Sequence, residues 1–299
     1  MTTTQTAEPT TAGSLQPAER AKVGAGEKTT AGVAHAVLIF WSIVVIAPML
    51  WALLSSFKTS QEIFASPFAP PAKFQLINYV HAWKQAGIGR AFFNTIAVVG
   101  VAMVVVMILG AMCAYVLSRF QFFGRRAIYY LMLAGLTFPP MLAIVPLFFV
   151  LKNFGMLNTL GGLTVTYVAF ALPFTMFFLY SFFKSLPYEV AEAAAIDGAG
   201  EWKTFFLVML PMARPGMASI AIFNFLGLWN QYLLPIALNT TRSNWVLAQA
   251  VASFASQAGY RTDFGMLFAA VIITILPVLV MYVIFQRQLQ SSVTAGSLK

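Results

Sequence analysis

Long uninterrupted apolar runs alternate along this chain with short polar stretches, and the apolar runs set its architecture. Six of them, at about 34–56, 91–117, 128–150, 160–183, 216–238 and 264–285, contain no Asp, Glu, Lys or Arg. Each reaches the roughly 20 residues that a helix needs to cross a bilayer. The pattern predicts an all-α fold, a polytopic membrane protein with six transmembrane helices. Residues 1–31, rich in Thr, Ala, Gly, Glu and Lys and without periodicity, are expected to be a disordered tail. Residues 32–290 then form the membrane domain and residues 291–299 a polar C-terminal tail. The first apolar run starts too late and is too long for a signal peptide.

Between the fourth and fifth runs lies the one concentrated polar patch, Pro187 to Pro215. Ser185 is a candidate N-cap, Pro187 suits a first turn, and Glu189 and Glu192 fall near the positive end of the helix dipole, so a short amphipathic helix is predicted over Pro187 to Ile196. Asp197-Gly198 reads as a turn in which glycine takes a left-handed backbone conformation. A second helix opens at Glu201 and is limited by Pro211 and Pro215. The small side chains Ala191, Ala193, Ala194 and Ala195 would let the groove of another protein approach closely, although alanine also abounds in helices that touch nothing.

Composition narrows the class. At 60% hydrophobic and 9% charged residues the chain is far from soluble proteins, in which about a quarter of residues are charged. The net charge of +9 comes from scattered residues with no basic, aromatic-interleaved patch, which argues against nucleic acid as a partner. Outside the apolar runs, eleven Lys and Arg fall on the side of the termini and of the 184–215 loop and seven on the other, placing both termini in the cytoplasm by the positive-inside rule. Cys113 sits alone in an apolar run, and His35 and His81 lack any acidic pair or nucleophile, so neither a metal site nor an enzyme is indicated. Gly24 to Thr29 brushes against the phosphate-loop pattern, but Glu27 and Lys22 stand where that loop requires glycine.

The fifth run carries Asn224, Trp229, Asn230, Gln231 and Tyr232, with Asn224, Gly227 and Gln231 on one helical face and Pro235 opposing the carbonyl of Gln231. Amides and aromatic faces at membrane depth suit a sugar path, Asn224, Trp229, Asn230 and Gln231 being the candidates; hydrogen bonding between helices would use the same residues. Pro139, Pro140 and Pro146 should kink the third run, as a hinge or as a static feature. Around Tyr79, Val80 and Trp83, and again over 246–255, amphipathic stretches predict interfacial helices that either meet a partner or anchor the chain.

Glu192-Ala193-Ala194, three residues, Gly198, nine residues, Val208, one residue and Leu210-Pro211 resemble the EAA loop of ABC importer permeases. Val208 stands where that pattern usually has isoleucine. Asp197-Gly198-Ala199, the Arg119, Phe120, Phe122, Gly124-Arg125 cluster, Asn78-Tyr79, Asn94-Thr95, Pro146-Leu147 and Thr294-Ala295-Gly296 resemble the carbohydrate branch and its MalG-type subunit. The resemblance implies the type I importer fold, with a cytoplasmic coupling helix that docks an ATPase through Glu192, Ala193, Ala194, Asp197, Gly198, Leu210 and Pro211. It implies a MalF-like second permease, a MalK-like ATPase dimer that uses ATP and Mg while this chain binds no cofactor, and an extracytoplasmic sugar-binding protein. It places the chain in a bacterial cell membrane, with a C-terminal tail reaching between the ATPase subunits. The alternatives are a permease for a non-sugar solute such as glycerol phosphate, or an ion-coupled secondary transporter; the absence of an ionisable acid from the spans argues against proton coupling.

Overall fold

The computed structural model describes the backbone of residues 25–256 and 263–297 and the side chains of 32–256 and 263–286. Expectations for residues 1–24 and for the side chains of the C-terminal tail lie outside the described residues. The helices are α1 (Ala25–Ser55), α2 (Ser60–Ala65), α3 (Ile77–Lys84), α4 (Ile88–Arg119), α5 (Arg125–Thr137), α6 (Pro140–Asn153), α7 (Leu160–Ser185), α8 (Glu189–Ile196), α9 (Glu201–Lys203), α10 (Leu210–Met212), α11 (Arg214–Trp229), α12 (Leu233–Leu238), α13 (Leu247–Ser256) and α14 (Phe264–Ser297). A π-helical turn, Thr204–Met209, joins α9 to α10, and there is no strand among the described residues. The all-α expectation holds. Helix α1 starts inside the segment expected to be disordered, and α14 continues into the expected C-terminal tail.

The chain divides into two units, Met1–Leu50 and Trp51–Lys299. In the first, α1 from Val33 onward is apolar around its whole circumference, the character of a helix that meets hydrocarbon rather than water. The second is built on α4 and α7, which pack through small residues of α4 set against larger side chains of α7. Gly110 shows why: a Cβ there would come 2.6 Å from Thr175 Cγ2, so only glycine allows this approach of the two helices. Ala102, Ala111 and Ala114 of α4 are likewise buried, against Tyr167, Met176, Leu179 and Phe183 of α7. In lipid, where no hydrophobic force brings helices together, such close packing is the main source of association.

Among the described residues, four helices are long and apolar enough to cross a membrane: Gly32–Ser55, Ile88–Arg119, Leu160–Ser185 and Phe264–Gln286. The other two predicted spans are not single helices. Residues 128–150 fall on α5 and α6, which meet at 107°. Pro140 forces its predecessor Pro139 into an extended conformation, with ψ at 124°, and Pro139 does the same to Phe138, so the expected kink is a complete break. The 216–238 run also stops early, because Pro235 has no N–H to offer Gln231 and its ring crowds that carbonyl. Helix α11 accordingly ends at Trp229 and α12 restarts at Leu233. Gln231 therefore does not continue the helical face of Asn224 and Gly227. Helices are present at both places where interfacial helices are expected, near Tyr79 as α3 and after Trp245 as α13.

Candidate functional site

Helix α8 lies where the polar patch places it. Ser185 does not cap it: its hydroxyl donates to Phe182 O at 2.7 Å and closes α7, while Tyr188 occupies the N-cap without a side-chain bond. Glu189 and Glu192 do stand in the first turn. The far end closes as a Schellman motif, with Gly198 N donating to Ala195 O at 3.0 Å and Ala199 N to Ala194 O at 2.9 Å. Gly198 has φ +80°, the left-handed conformation read from Asp197-Gly198. Of the helix, Ala194 is buried, whereas Glu192, Ala193, Ala195, Ile196 and Asp197 are exposed. Ile196, at 86% exposure, is an apolar side chain presented outward.

The segment after the turn explains the Leu210-Pro211 pair. Pro211 has no N–H, so the α-helical ladder loses a bond there, and Leu210 N instead donates five residues back to Phe205 O, closing the π-helical turn. Val208 and Leu210 pack against a buried cluster that includes Met209, Phe205 and Phe183. Trp202 and Phe206 stack at 6.0 Å on the exposed side.

A residue with no assigned role in the sequence reading fixes this hairpin. Arg119, the last residue of α4, donates from Nη2 to Phe183 O at 2.9 Å and to Leu186 O at 2.8 Å, and its guanidinium carbon lies 4.3 Å from the Tyr188 ring centroid. Tyr188 in turn donates from its hydroxyl to Ser118 O at 3.4 Å. The connection from α7 to α8 is thereby tied to the end of α4. Beneath it, the Tyr115 ring meets Phe120, Phe183 and Phe205 at 5.7, 5.7 and 5.1 Å. Nε and Nη1 of Arg119 are buried without a hydrogen-bond partner.

The opposite end of α4 is held by amides. Asn94 donates to Ser243 O at 3.0 Å and Trp245 O at 2.9 Å, and Thr95 Oγ1 accepts from Leu247 N at 2.7 Å. Asn78 donates to Ser56 O and Lys58 O, both at 2.9 Å, and the Tyr79 hydroxyl pairs with Ser56 Oγ at 2.7 Å. The Asn78-Tyr79 and Asn94-Thr95 pairs are thus clamps on connecting segments. Helix α2, absent from the sequence reading, is announced by Thr59 and Glu62, a capping box in which Thr59 N donates to Glu62 Oε2 at 3.0 Å and Glu62 N to Thr59 Oγ1 at 3.2 Å. The amide of Thr59 holds the Glu62 carboxyl below its ordinary pKa. Lys84, Arg90, Arg242, Trp83 and Trp245 line a cavity of about 720 Å³ at this end.

The sugar-path candidates separate into two groups. Asn224 is 4% exposed and donates to Thr175 Oγ1 at 2.8 Å, binding α11 to the α4–α7 contact. Trp229 is also buried, its Nε1 donating to Thr274 O at 3.2 Å. Asn230 is exposed although its amide donates to Leu226 O at 2.9 Å, and Gln231 and the exposed Tyr232 sit in the break between α11 and α12. No three His, Cys, Asp or Glu come together as metal ligands among the described residues.

A bundle of membrane-length helices with uncharged interiors, presenting a polar helical hairpin at one end, is the layout of the membrane-embedded component of a transport system. The chain belongs to the family described as binding-protein-dependent transport system inner membrane component, whose model matches residues 106–294. It is 62% identical over 91% of its length to the diacetylchitobiose uptake system permease protein NgcG of Streptomyces coelicolor, covering 90% of that protein. It is 30% identical to the trehalose transport system permease protein SugB of Mycobacterium tuberculosis, over 85% of this chain and 92% of that one. Its fold matches that of a chain in the crystal structure of a bacterial ABC transporter that imports alginate, with a TM-score of 0.79 at 19% identity, covering 88% of this chain and 98% of that chain.

Proposed function

We propose that the chain is one of two permease subunits of an ATP-driven importer for an N-acetylglucosamine disaccharide, the class that contains diacetylchitobiose. The 62% identity to a permease of a diacetylchitobiose uptake system carries the choice of substrate. Helix α8 docks the partner ATPase, with Glu192, Ala193, Asp197 and Ile196 facing it, Gly198 setting its direction, and Leu210 and Pro211 joining it to α11. Arg119 positions the hairpin. ATP and Mg are used by that ATPase, and a second permease completes the pathway. The α5–α6 pair and the α11–α12 pair each count as one span, giving six, with α8 and both termini in the cytoplasm.

The amide-clamped end, about 45 Å away along α4 at 1.5 Å per residue, then faces the extracytoplasmic binding protein. Its cavity offers cations and indole faces to the partner. Gln231, Tyr232 and the amide oxygen of Asn230 contact the sugar, because the unwound stretch leaves these groups without a partner among the described residues. Asn224 and Trp229 serve packing, since both are buried within this subunit alone. The test is uptake of labelled diacetylchitobiose by proteoliposomes containing the whole complex and its binding protein. ATP-dependent accumulation, competed by unlabelled diacetylchitobiose and not by trehalose or glycerol phosphate, is expected. Accumulation of either competitor in its place would overturn the substrate assignment.

A further inference from the structure

The end of α4 that carries Arg119 also borders a cavity that the docking hairpin does not use. It measures about 560 Å³ and lies among the last turn of α4, the loop 120–124, the start of α5 and the C-terminal part of α7, lined by Gln121, Arg125, Arg126, Tyr129, Tyr130 and Tyr180 among others. We infer that it is a binding site for the headgroup of an anionic phospholipid.

Its chemistry is one-sided. No acid lines it, and the sequence contains none between Glu62 and Glu189. Arg125 donates from Nε to Leu117 O at 2.7 Å, which fixes the side chain while leaving both Nη groups unengaged by any described residue. Arg126 is exposed and makes no hydrogen bond or ion pair with a described residue. These are forked donors suited to a phosphodiester. Tyr129 and Tyr180 lie 4.9 Å apart, and none of the three lining phenols is hydrogen-bonded to a described residue. The rim separates a lipid from a free anion: Phe123, Ile128 and Leu131 are exposed beside the arginines, offering acyl chains a surface where α5 enters the membrane. A basic pocket between helices at the membrane surface, with apolar surface next to it, recognises an amphiphile.

The importer reading decides only which leaflet supplies the lipid. Lipid binding is measured without uptake or ATP hydrolysis, so its failure and the failure of that reading are distinguishable. The complex, purified in detergent and titrated with phosphatidylglycerol or phosphatidylcholine, is examined by native mass spectrometry, which reports assembly in the same spectrum. Phosphatidylglycerol is expected to bind in preference to phosphatidylcholine. Arg126→Gln should weaken it about fivefold, the weight of one cation near an anionic surface, while Arg126→Lys retains it and Arg125→Gln with Arg126→Gln removes the preference. Excess inorganic phosphate should leave the lipid bound. Unchanged phosphatidylglycerol affinity in the double variant, equal binding of phosphatidylcholine, or displacement by inorganic phosphate would each overturn the inference.

Discussion

The two ends of α4 are held in opposite ways. At the Ile88 end the connecting segments are fastened by several side-chain amides and hydroxyls, Asn78, Asn94 and Thr95 among them, each bonded to backbone on a distant part of the chain. At the Arg119 end a single guanidinium grips two carbonyls and one ring, and the helix it steadies is exposed along most of its surface. Many short bonds make a fixed mount. One long, planar cation on aromatic packing makes a joint whose parts can move together without breaking many contacts. Under the proposed function, the movable end is the one that docks the ATPase and the fixed end is the one that faces the binding protein.

The largest expected effect is at the joint. Gly198→Val should abolish uptake and weaken ATPase association in pull-downs of the membrane complex, whereas Gly200→Ala should be tolerated. A Cβ at either position meets no atom within 4 Å, so the difference rests on the backbone: φ is +80° at Gly198 and −71° at Gly200. A side chain costs roughly 1–2 kcal/mol in the left-handed region, more when β-branched, and relief of that strain re-aims α8. Normal transport by the valine variant would remove the docking account.

Arg119→Ala comes next. It deletes two charge-assisted bonds and the contact with Tyr188, interactions worth roughly 1.5–3 kcal/mol each for the hydrogen bonds. Uptake should fall at least tenfold while the complex still assembles, with ATP hydrolysis losing its dependence on the binding protein. Arg119→Lys should recover only part, since an ammonium lacks the planar fork. If the alanine variant couples normally, α8 is positioned by the aromatic cluster alone.

At the mount, Asn94→Ala should act differently, lowering thermal stability of the purified complex by about 1–2 kcal/mol and reducing binding-protein affinity, with ATPase association unchanged. Weakened ATPase association in this variant would show that the two ends are not separable. The smallest effect belongs to Glu62. Its carboxyl is held below the ordinary range, so the stability it contributes is present above the unfolded pKa and disappears as pH falls through the lower, folded value. Glu62→Gln should therefore differ slightly from the parent in melting temperature at neutral pH and converge with it in acid.

Much of this was legible in the sequence because it is local. Charge-free runs mark the spans, and Asp197-Gly198 announces a Schellman turn because only its own backbone decides the conformation. The break at Phe138 was half legible: the prolines are plain, but hydropathy runs through them unbroken, so a bent pair looks like one span. Arg119 was not legible as a joint. Its acceptors are 64 and 67 residues away, and carbonyls leave no trace in a sequence. Helical periodicity puts Asn224 and Gln231 on one face only if the helix runs on past Trp229, and Pro235 ends it before Gln231. Thr59 and Glu62 carried a readable signal that the surrounding prolines and apolar runs overshadowed.

The uncharged span interiors have an electrical consequence. Arg90, Arg119, Lys152 and Lys184 all stand near helix ends, and no Asp, Glu, Lys or Arg lies in the interior of the described spans. An elementary charge carried across the full bilayer exchanges about 2.3 kcal/mol with each 100 mV of membrane potential. Helices that move no charge exchange none. A cell's resting voltage then finds no side-chain charge to act on within these spans, so uptake should proceed at nearly the same rate in energised and depolarised membranes supplied with equal ATP.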